Sequence, residues 1–485
     1  MSLSGFVEKN LYIRKDEVKK VSLFFIFFAI LMVGVEMGRG VSLSLFLTNV
    51  GIKKLPVMLM ISSVFNTGAV LAYMGLSANR DNKTLFNIVL ATGLALVLAS
   101  RILFLSQKNL ASYIAFIGGE FFFNAINLHF AVYLAQFFNT RQAKRVLPVI
   151  FSGSRVGGIL GGIFLSFLPR YIGSVNILII WILTIISAFA CLFFINTRFT
   201  PEIFDYDQHK KKSDKFFKYI VNSIKYMKGS TLLKALAGGV FLLGFLSLVM
   251  KYLYSGIFVE TFPNTDQLTS FFGIYTIISN ILGFIVQLTL SNRIIDSLGL
   301  GAANLLYSIA FVSGFTLLTF NYGFLAGLWS RFTDEQLEAA IREPVEGLFY
   351  NAIPDHERAR ARALSSGLIK PLSEISGSAF LQLTRNFLVP VHIAGTGLFF
   401  SIIYLLTSLL QNKGYVDSLM KMVKDKTLNL EDLENLRWEK ASSKDLDTLY
   451  KLATNRESSA RESATTLLLH LDEDIDFDIL KQGFW

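Results

Sequence analysis

Between residues 325 and 354 the chain reads LAGLWSRFTDEQLEAAIREPVEGLFYNAIP, a largely apolar stretch crowded with charge. Arg331, Glu335, Glu338, Arg342 and Glu346 recur at steps of four, three, four and four. At about 100° per residue in an α-helix, they fall within an arc of roughly 80°. Such a row can grip a polar solute, trade ion pairs or carry protons. It cannot face lipid, because each charge at the centre of a spanning helix costs about 2.5–3.5 kcal/mol on insertion scales. The row therefore looks into a protein interior or a watery cavity, and in a many-helix membrane protein that points to a transport pathway. Neutralisation within one helix, through the i, i+4 pairs Arg331–Glu335 and Glu338–Arg342, is the plainer reading of the same spacing.

Other charges interrupt other apolar runs. Glu36 and Arg39 stand one turn apart in VEMGRGVS, Glu120 follows two glycines, and Arg155 lies amid a glycine stripe. We expect these four, with the row above, to line the pathway. For Arg155 two roles stay open: holding an anion, or pairing with Glu120 on the preceding helix. Gly153, Gly157 and Gly161 repeat every fourth residue. Glycine at that spacing lets two helices approach closely, which serves plain packing and sliding equally. His129 lies within an apolar run, where a structural hydrogen bond competes with a proton relay.

Catalytic and metal signatures are missing. There is no GxxxxGK[ST], no HExxH and no cysteine pair, since Cys191 is alone. We expect a protein that is not an enzyme, with no cofactor and no metal.

The elements that must position these residues follow from composition. Of 485 residues, 52% are hydrophobic and 17% charged, with mean hydropathy +0.49. Soluble domains carry about 25% charge. Apolar runs of about 20 residues, enough to cross some 30 Å of hydrocarbon, recur almost end to end. The expected fold is an all-α polytopic membrane protein with twelve transmembrane helices in two six-helix bundles plus a small cytoplasmic helical tail. We place the spans near 21–47, 56–77, 84–106, 111–138, 147–168, 175–195, 232–258, 267–290, 299–320, 322–351, 364–387 and 389–411. The domains are then 1–195, a linker at 196–231 with an amphipathic helix, 232–411, and a tail at 412–485.

Lys and Arg alternate between connections. Arg80, Lys83, Arg141, Arg145, Arg293, Arg358 and Arg362 share one side with the basic N-terminal segment. The positive-inside rule makes that side cytoplasmic, so we expect both termini in the cytoplasm and the chain in the cytoplasmic (inner) membrane. The net charge of +10 reflects this topology, and we expect membrane lipids rather than nucleic acid as its partner. Tyr133, Arg141 and Arg145 in YLAQFFNTRQAKR keep the spacing of Tyr350, Arg358 and Arg362 in YNAIPDHERARAR. Asn-Arg recurs in ANRDNK and SNRIID. Two matches in corresponding places indicate duplication of a six-span half.

Particular segments resemble known families. GLSANRDNK resembles the major facilitator loop signature GxLaDRxGRK, keeping Gly75, Ala78, Arg80 and Lys83 while Asn79 and Asn82 depart from it. TRQAKRVLPVIFSGSRVGGILGG resembles the REAKRxxPL–glycine segment of the ATP:ADP antiporter, or nucleotide transporter, family. MKYLYSGIFVETFP with LTSFFGIY, and LFYNAIPDHERARARALSSGLIKPL, resemble a bacterial branch of that family. The resemblance runs over about residues 20–480 and implies nucleotide antiport, with helical HEAT-type repeats after the last span. One departure concerns charge. Intramembrane acids and bases match at about eight each, whereas a nucleotide carrier needs a basic surplus for its phosphates.

The expected function is thus a secondary-transporter-like protein moving a polar, anionic or phosphorylated solute, a nucleotide by resemblance, by alternating access. Two alternatives remain: an amphipathic lipid translocator, and a transporter-like module that binds a protein partner through its tail.

Overall fold

A computed structural model of the chain describes residues 14, 17–77, 80–201, 230–287, 299–424 and the single positions 450, 453 and 465. Arg293, the linker helix and the tail repeat fall outside these residues, as does the side chain of Arg141.

Helices dominate because lipid offers the backbone no hydrogen-bond partners, so each span must satisfy its own N–H and C=O groups. In chain order they are α1 (Val18–Asn49), α2 (Leu55–Ser77), α3 (Asn82–Leu103), α4 (Lys108–Ala135), α5 (Thr140–Phe167), α6 (Ser174–Arg198), α7 (Thr231–Thr261) and α8 (Thr265–Val286). Then come α9 (Leu300–Phe320) and α10, built from Phe324–Phe332, Thr333–Arg342 and Glu343–Phe349. α11 is built from Asp355–Leu364, Ser365–Ile369 and Lys370–Thr384, and α12 is Pro390–Lys424. No strand occurs among the described residues. Ten of these helices are long and apolar enough to cross a membrane by composition alone. α10 and α11 are the other two, rich in charge and each interrupted by a π-helical segment. The protein is an all-α polytopic membrane protein.

Local signals mark several boundaries. Asp81 caps α3 by accepting from the Thr84 N–H at 3.4 Å, and Asn139 with Gln142 forms a reciprocal capping box at α5. α12 continues to Lys424 instead of ending near 411. The reason is apolar packing: Tyr415 and Leu419 stay buried, and Tyr415 meets the Phe349 ring at 5.4 Å.

The chain forms two compact units, one from 1–214 with 255–282 and the other from 215–254 with 283–485. In the first unit, α5 carries two glycine faces. A Cβ at Gly153 would lie 2.8 Å from the Phe25 carbonyl oxygen, one at Gly157 would strike the Ala29 carbonyl, and one at Gly161 would lie 3.0 Å from the Val33 carbonyl. The stripe therefore seats directly on the α1 backbone. On its other face, Gly158 meets Asn280, and a Cβ at Gly162 would lie 3.0 Å from the Gly273 carbonyl, both on α8. This second face explains why α8 groups with α1–α6. Aromatics fill the remaining core, including Phe28 stacked on Phe130 at 4.0 Å.

The second unit packs α9 on α12 through Phe311 and the buried Tyr307 and Tyr404. α11 approaches α7 where a Cβ at Gly377 would lie 2.9 Å from the Phe245 carbonyl.

Contacts between helix ends agree with alternating spans in the first unit. Thr48, Ser174 and the α8 start at Thr265 and Asp266 meet at one end, at 2.6–2.8 Å. Glu17 of the segment before α1 pairs with Arg145 of α5 at the other end.

Candidate functional site

The charged row of α10 does not lie on a plain α-helix. Residues 333–342 form a ten-residue π-helix, with the Glu343 N–H bonded to the Glu338 carbonyl. The wider i→i+5 turn redistributes side chains assumed to recur at 100° each. Arg331 and Arg342 turn inward, at 8% and 1% exposure, as does Asp334, which lay off the row. Glu335 and Glu346 keep 25% side-chain exposure. A second π segment, Ser365–Ile369, interrupts α11. Pro344 and Pro371 stand just past the two segments and lack the N–H that an uninterrupted i→i+4 ladder needs.

Arg331 donates to Glu335 at 3.1 Å and sits over the Tyr254 ring. The Tyr254 hydroxyl in turn donates to Asp334 at 3.3 Å. Arg342 has its Nη2 at 3.3 Å from a Glu346 oxygen. None of its three guanidinium nitrogens has a hydrogen bond among the described residues. Of the intrahelical pairings, Arg331–Glu335 is present, and Arg342 pairs forward with Glu346 rather than back with Glu338. The two arginines are buried, and Glu338, Glu343 and Glu346 reach open space.

That space is a cavity of about 390 Å³ inside the second unit. α10 contributes Glu338, Glu343 and Glu346, the turn after it contributes Tyr350, and α11 contributes Arg362, Ser365, Ser366 and Lys370. Val240 and Leu243 of α7 give it an apolar floor. Tyr350 donates to Ser365 at 2.7 Å, and Arg362 donates to the Gly347 carbonyl at 3.1 Å while covering the Tyr350 ring. One sequence assignment changes here: Arg362, read as a loop residue, is part of the cavity wall beside Lys370. Ser365, Ser366, Glu343 and Tyr350 were not expected at a site. The available signal was Pro344 with Gly347 in α10 and Gly367 with Pro371 in α11, since interrupted helices build many transporter sites.

The first unit holds Glu36, Arg39, Glu120 and Arg155. Arg39 lies over the Phe123 ring at 4.2 Å. A Cβ at Gly119 would lie 3.6 Å from the Arg39 backbone, and one at Gly161 would lie 3.3 Å from the Glu36 Cβ. Glu36, Arg39 and Glu120 thus belong to the place where α1 meets α4 and α5. Arg155 donates to the Asn280 side chain at 3.3 Å. His129 is fully buried. Its Nε2 donates to the Asn82 carbonyl at 2.9 Å, which leaves Nδ1 to accept from the Tyr73 hydroxyl at 2.6 Å. Both ring nitrogens are occupied, as a structural hydrogen-bonding role requires.

The loop residues make local contacts. Arg145 meets Glu17 at 2.9 Å. Arg358 donates to the carbonyls of Asn351 and Ile353 at 3.3 and 3.4 Å, closing the end of α10. Arg80 is exposed beside the α3 cap, with Lys83 in the first turn of that helix. Gly75 borders open space in the last turn of α2.

Solved structures share this fold. A point mutant of the nucleoside transporter NupG aligns with TM-score 0.62 and 13% identity over 81% of this chain and 99% of that one. An auto-inhibited peptide transporter of the POT family aligns at 0.56 and 11%, over 82% and 96%. The xylose transporter XylE from E. coli, inward open, aligns at 0.55 and 14%, over 80% and 95%. The fold is major facilitator-like. No family model and no curated protein matches the chain. The likeness to the ATP:ADP antiporter family therefore stands on its motifs alone.

Proposed function

We propose that this protein is a secondary transporter that moves a small polar solute by alternating access, held in the cavity between α10 and α11. One observation carries the reading: a cavity of about 390 Å³ with charged walls, built within a membrane-spanning unit on helices that leave α geometry. Charges persist inside membranes where they meet water, substrate or one another, and π segments concentrate at functional sites. The neighbours named for nucleoside, xylose and peptide support transport of a small polar molecule. Lys370 and Arg362 would take an anionic group on the solute, a carboxylate or a phosphate. The motif resemblance favours a nucleotide exchanged against another. The basic loops favour an inner membrane with both termini cytoplasmic.

Reconstituting the full-length protein in liposomes tests this, with labelled AMP, ADP, sugar phosphates and amino acids as the panel. The expected result is uptake of at least one, lost in Lys370→Gln. Intact, inserted protein that takes up none of them overturns the proposal.

A second reading rests on a different cavity. In the first unit about 420 Å³ opens between α2, α3 and α4, walled mainly by apolar residues such as Phe65, Leu76, Ile88 and Phe121. That surface suits an acyl chain and supports lipid translocation. Transfer of a fluorescent phospholipid between leaflets in the same liposomes, without solute uptake, would select it.

A further inference from the structure

The apolar groove of the first unit, about 420 Å³ along α2, α3 and α4, has a length and a direction. Its α2 wall runs from Phe65 to Leu76, about 16 Å at 1.5 Å per residue. One leaflet of hydrocarbon is about 15 Å thick, half of a roughly 30 Å core. The groove is therefore about one leaflet deep. At one end Phe65 meets the Phe121 ring at 5.9 Å. At the other, Tyr73 of α2 meets His129 of α4, which also touches Phe86 of α3. Leu76, Leu85 and Leu128 close this second end.

That end is basic. Arg80 and Lys83 lie in the chain between the lining residues Leu76 and Leu85, and both are exposed. Two hydrogen bonds hold the turn there. The Tyr73 hydroxyl donates to His129 Nδ1 at 2.6 Å, and His129 Nε2 donates at 2.9 Å to the carbonyl of Asn82, between Arg80 and Lys83. Asp81 is the acid of the turn, and its carboxylate accepts from the Thr84 N–H as the α3 cap. Two bases to one acid leave residues 80–83 positive. We propose that the groove holds a phospholipid with an anionic headgroup, one acyl chain lying between α2, α3 and α4 and the phosphate region at Arg80 and Lys83. Apolar area along the chain supplies affinity, and the two bases supply the choice of headgroup. The positive-inside rule puts this end on the cytoplasmic side, where anionic lipids attract basic residues next to spans. Gly68 makes room for the chain: it lines the groove, and a Cβ there would meet nothing within 4 Å. The lipid is held rather than moved, so the site is independent of the solute taken by the second-unit cavity.

Native mass spectrometry of the purified full-length protein tests this, with dioleoylphosphatidylglycerol or dioleoylphosphatidylcholine titrated into the detergent. Wild type should retain one phosphatidylglycerol, about tenfold or more tightly than phosphatidylcholine, given two bases near the headgroup. Arg80→Gln with Lys83→Gln should bring phosphatidylglycerol down to the phosphatidylcholine level. Lys53→Gln with Lys54→Gln removes as much exposed charge just before the other end of α2 and should leave both lipids unchanged. Gly68→Phe should plug the groove and weaken both lipids, with Gly68→Val as the smaller plug, and size exclusion confirms that each variant is folded. Equal retention of the two lipids by wild type overturns the proposal. Phosphatidylglycerol that stays bound in both folded Gly68 variants overturns it too. So does an equal loss in the Lys53 and Lys54 variant, because attraction to charge anywhere on the protein would then account for binding.

Discussion

Arg342 and Lys370 are both bases near the π segments, and the structure separates their roles. Arg342 is 1% exposed, lies behind the cavity wall and faces Glu346. Removing it leaves a carboxylate without its nearest base inside a membrane helix. Arg342→Met should therefore lower stability by about 3–5 kcal/mol, the usual cost of breaking a buried pair. The check is thermal unfolding in detergent, and an unchanged melting temperature would assign Arg342 to the solute instead. Lys370 lines open space. Lys370→Gln should abolish uptake while shifting the melting temperature little, which the same two measurements distinguish. His129 belongs with Arg342: both its ring nitrogens are engaged. His129→Leu should cost stability by about 1–3 kcal/mol, since Tyr73 and the Asn82 carbonyl lose their partner.

At the scale of elements, α5 and α10 carry the consequential geometry. Gly157 has no room for a methyl group, because a Cβ there strikes the Ala29 carbonyl and comes 2.8 Å from the Met32 Cβ. Backbone cannot step aside as a side-chain tip can. Gly157→Ala should destabilise by about 1–3 kcal/mol. Gly68 on α2 borders open space, so Gly68→Ala should be neutral or stabilising by up to about 1 kcal/mol. Equal melting temperatures for the two variants would contradict the crossing. In α10, deleting Ala339 removes one residue from the π segment and lets an i→i+4 ladder run through. The residues beyond would turn by about 100°, taking Glu343 and Glu346 off the cavity wall. Uptake should vanish from a protein that still inserts and elutes as a folded species on size exclusion.

For the whole molecule, alternation of spans makes an orientation testable. Cys191 is the lone cysteine, so Cys191→Ser supplies a blank background. Asn264→Cys, beside the α8 start, should react with an impermeant maleimide in intact cells. Arg80→Cys, beside the α3 cap, should react after permeabilisation alone. The reverse pattern would invert the orientation read from Lys and Arg. By packing, the first compact unit takes in most of α8 together with α1–α6. α8 groups with α1–α6 because Gly158 and Gly162 seat it on α5, so the unit boundary runs within α7 and α8.

Sequence alone determined the solvent. Apolar runs of membrane-crossing length recur through the chain, and a backbone in lipid has few options besides the helix. The crowding of charge on α10, the glycine stripe on α5 and the glycine-framed Glu120 were legible because residue type and spacing are properties of the chain itself. Which charges meet solute was not. A constant 100° per residue puts Arg331, Glu335, Glu338, Arg342 and Glu346 on one face. The π segment breaks that count and buries Arg342 while leaving Glu338 and Glu346 on a cavity. Arg362 read as a loop base and Lys370 did not stand out, because nothing in one sequence says that α11 brings them beside α10. Pro344 and Pro371 mark the two interruptions. The cavity between them comes from pairing helices more than ten residues apart in the chain, and that pairing is decided by tertiary packing.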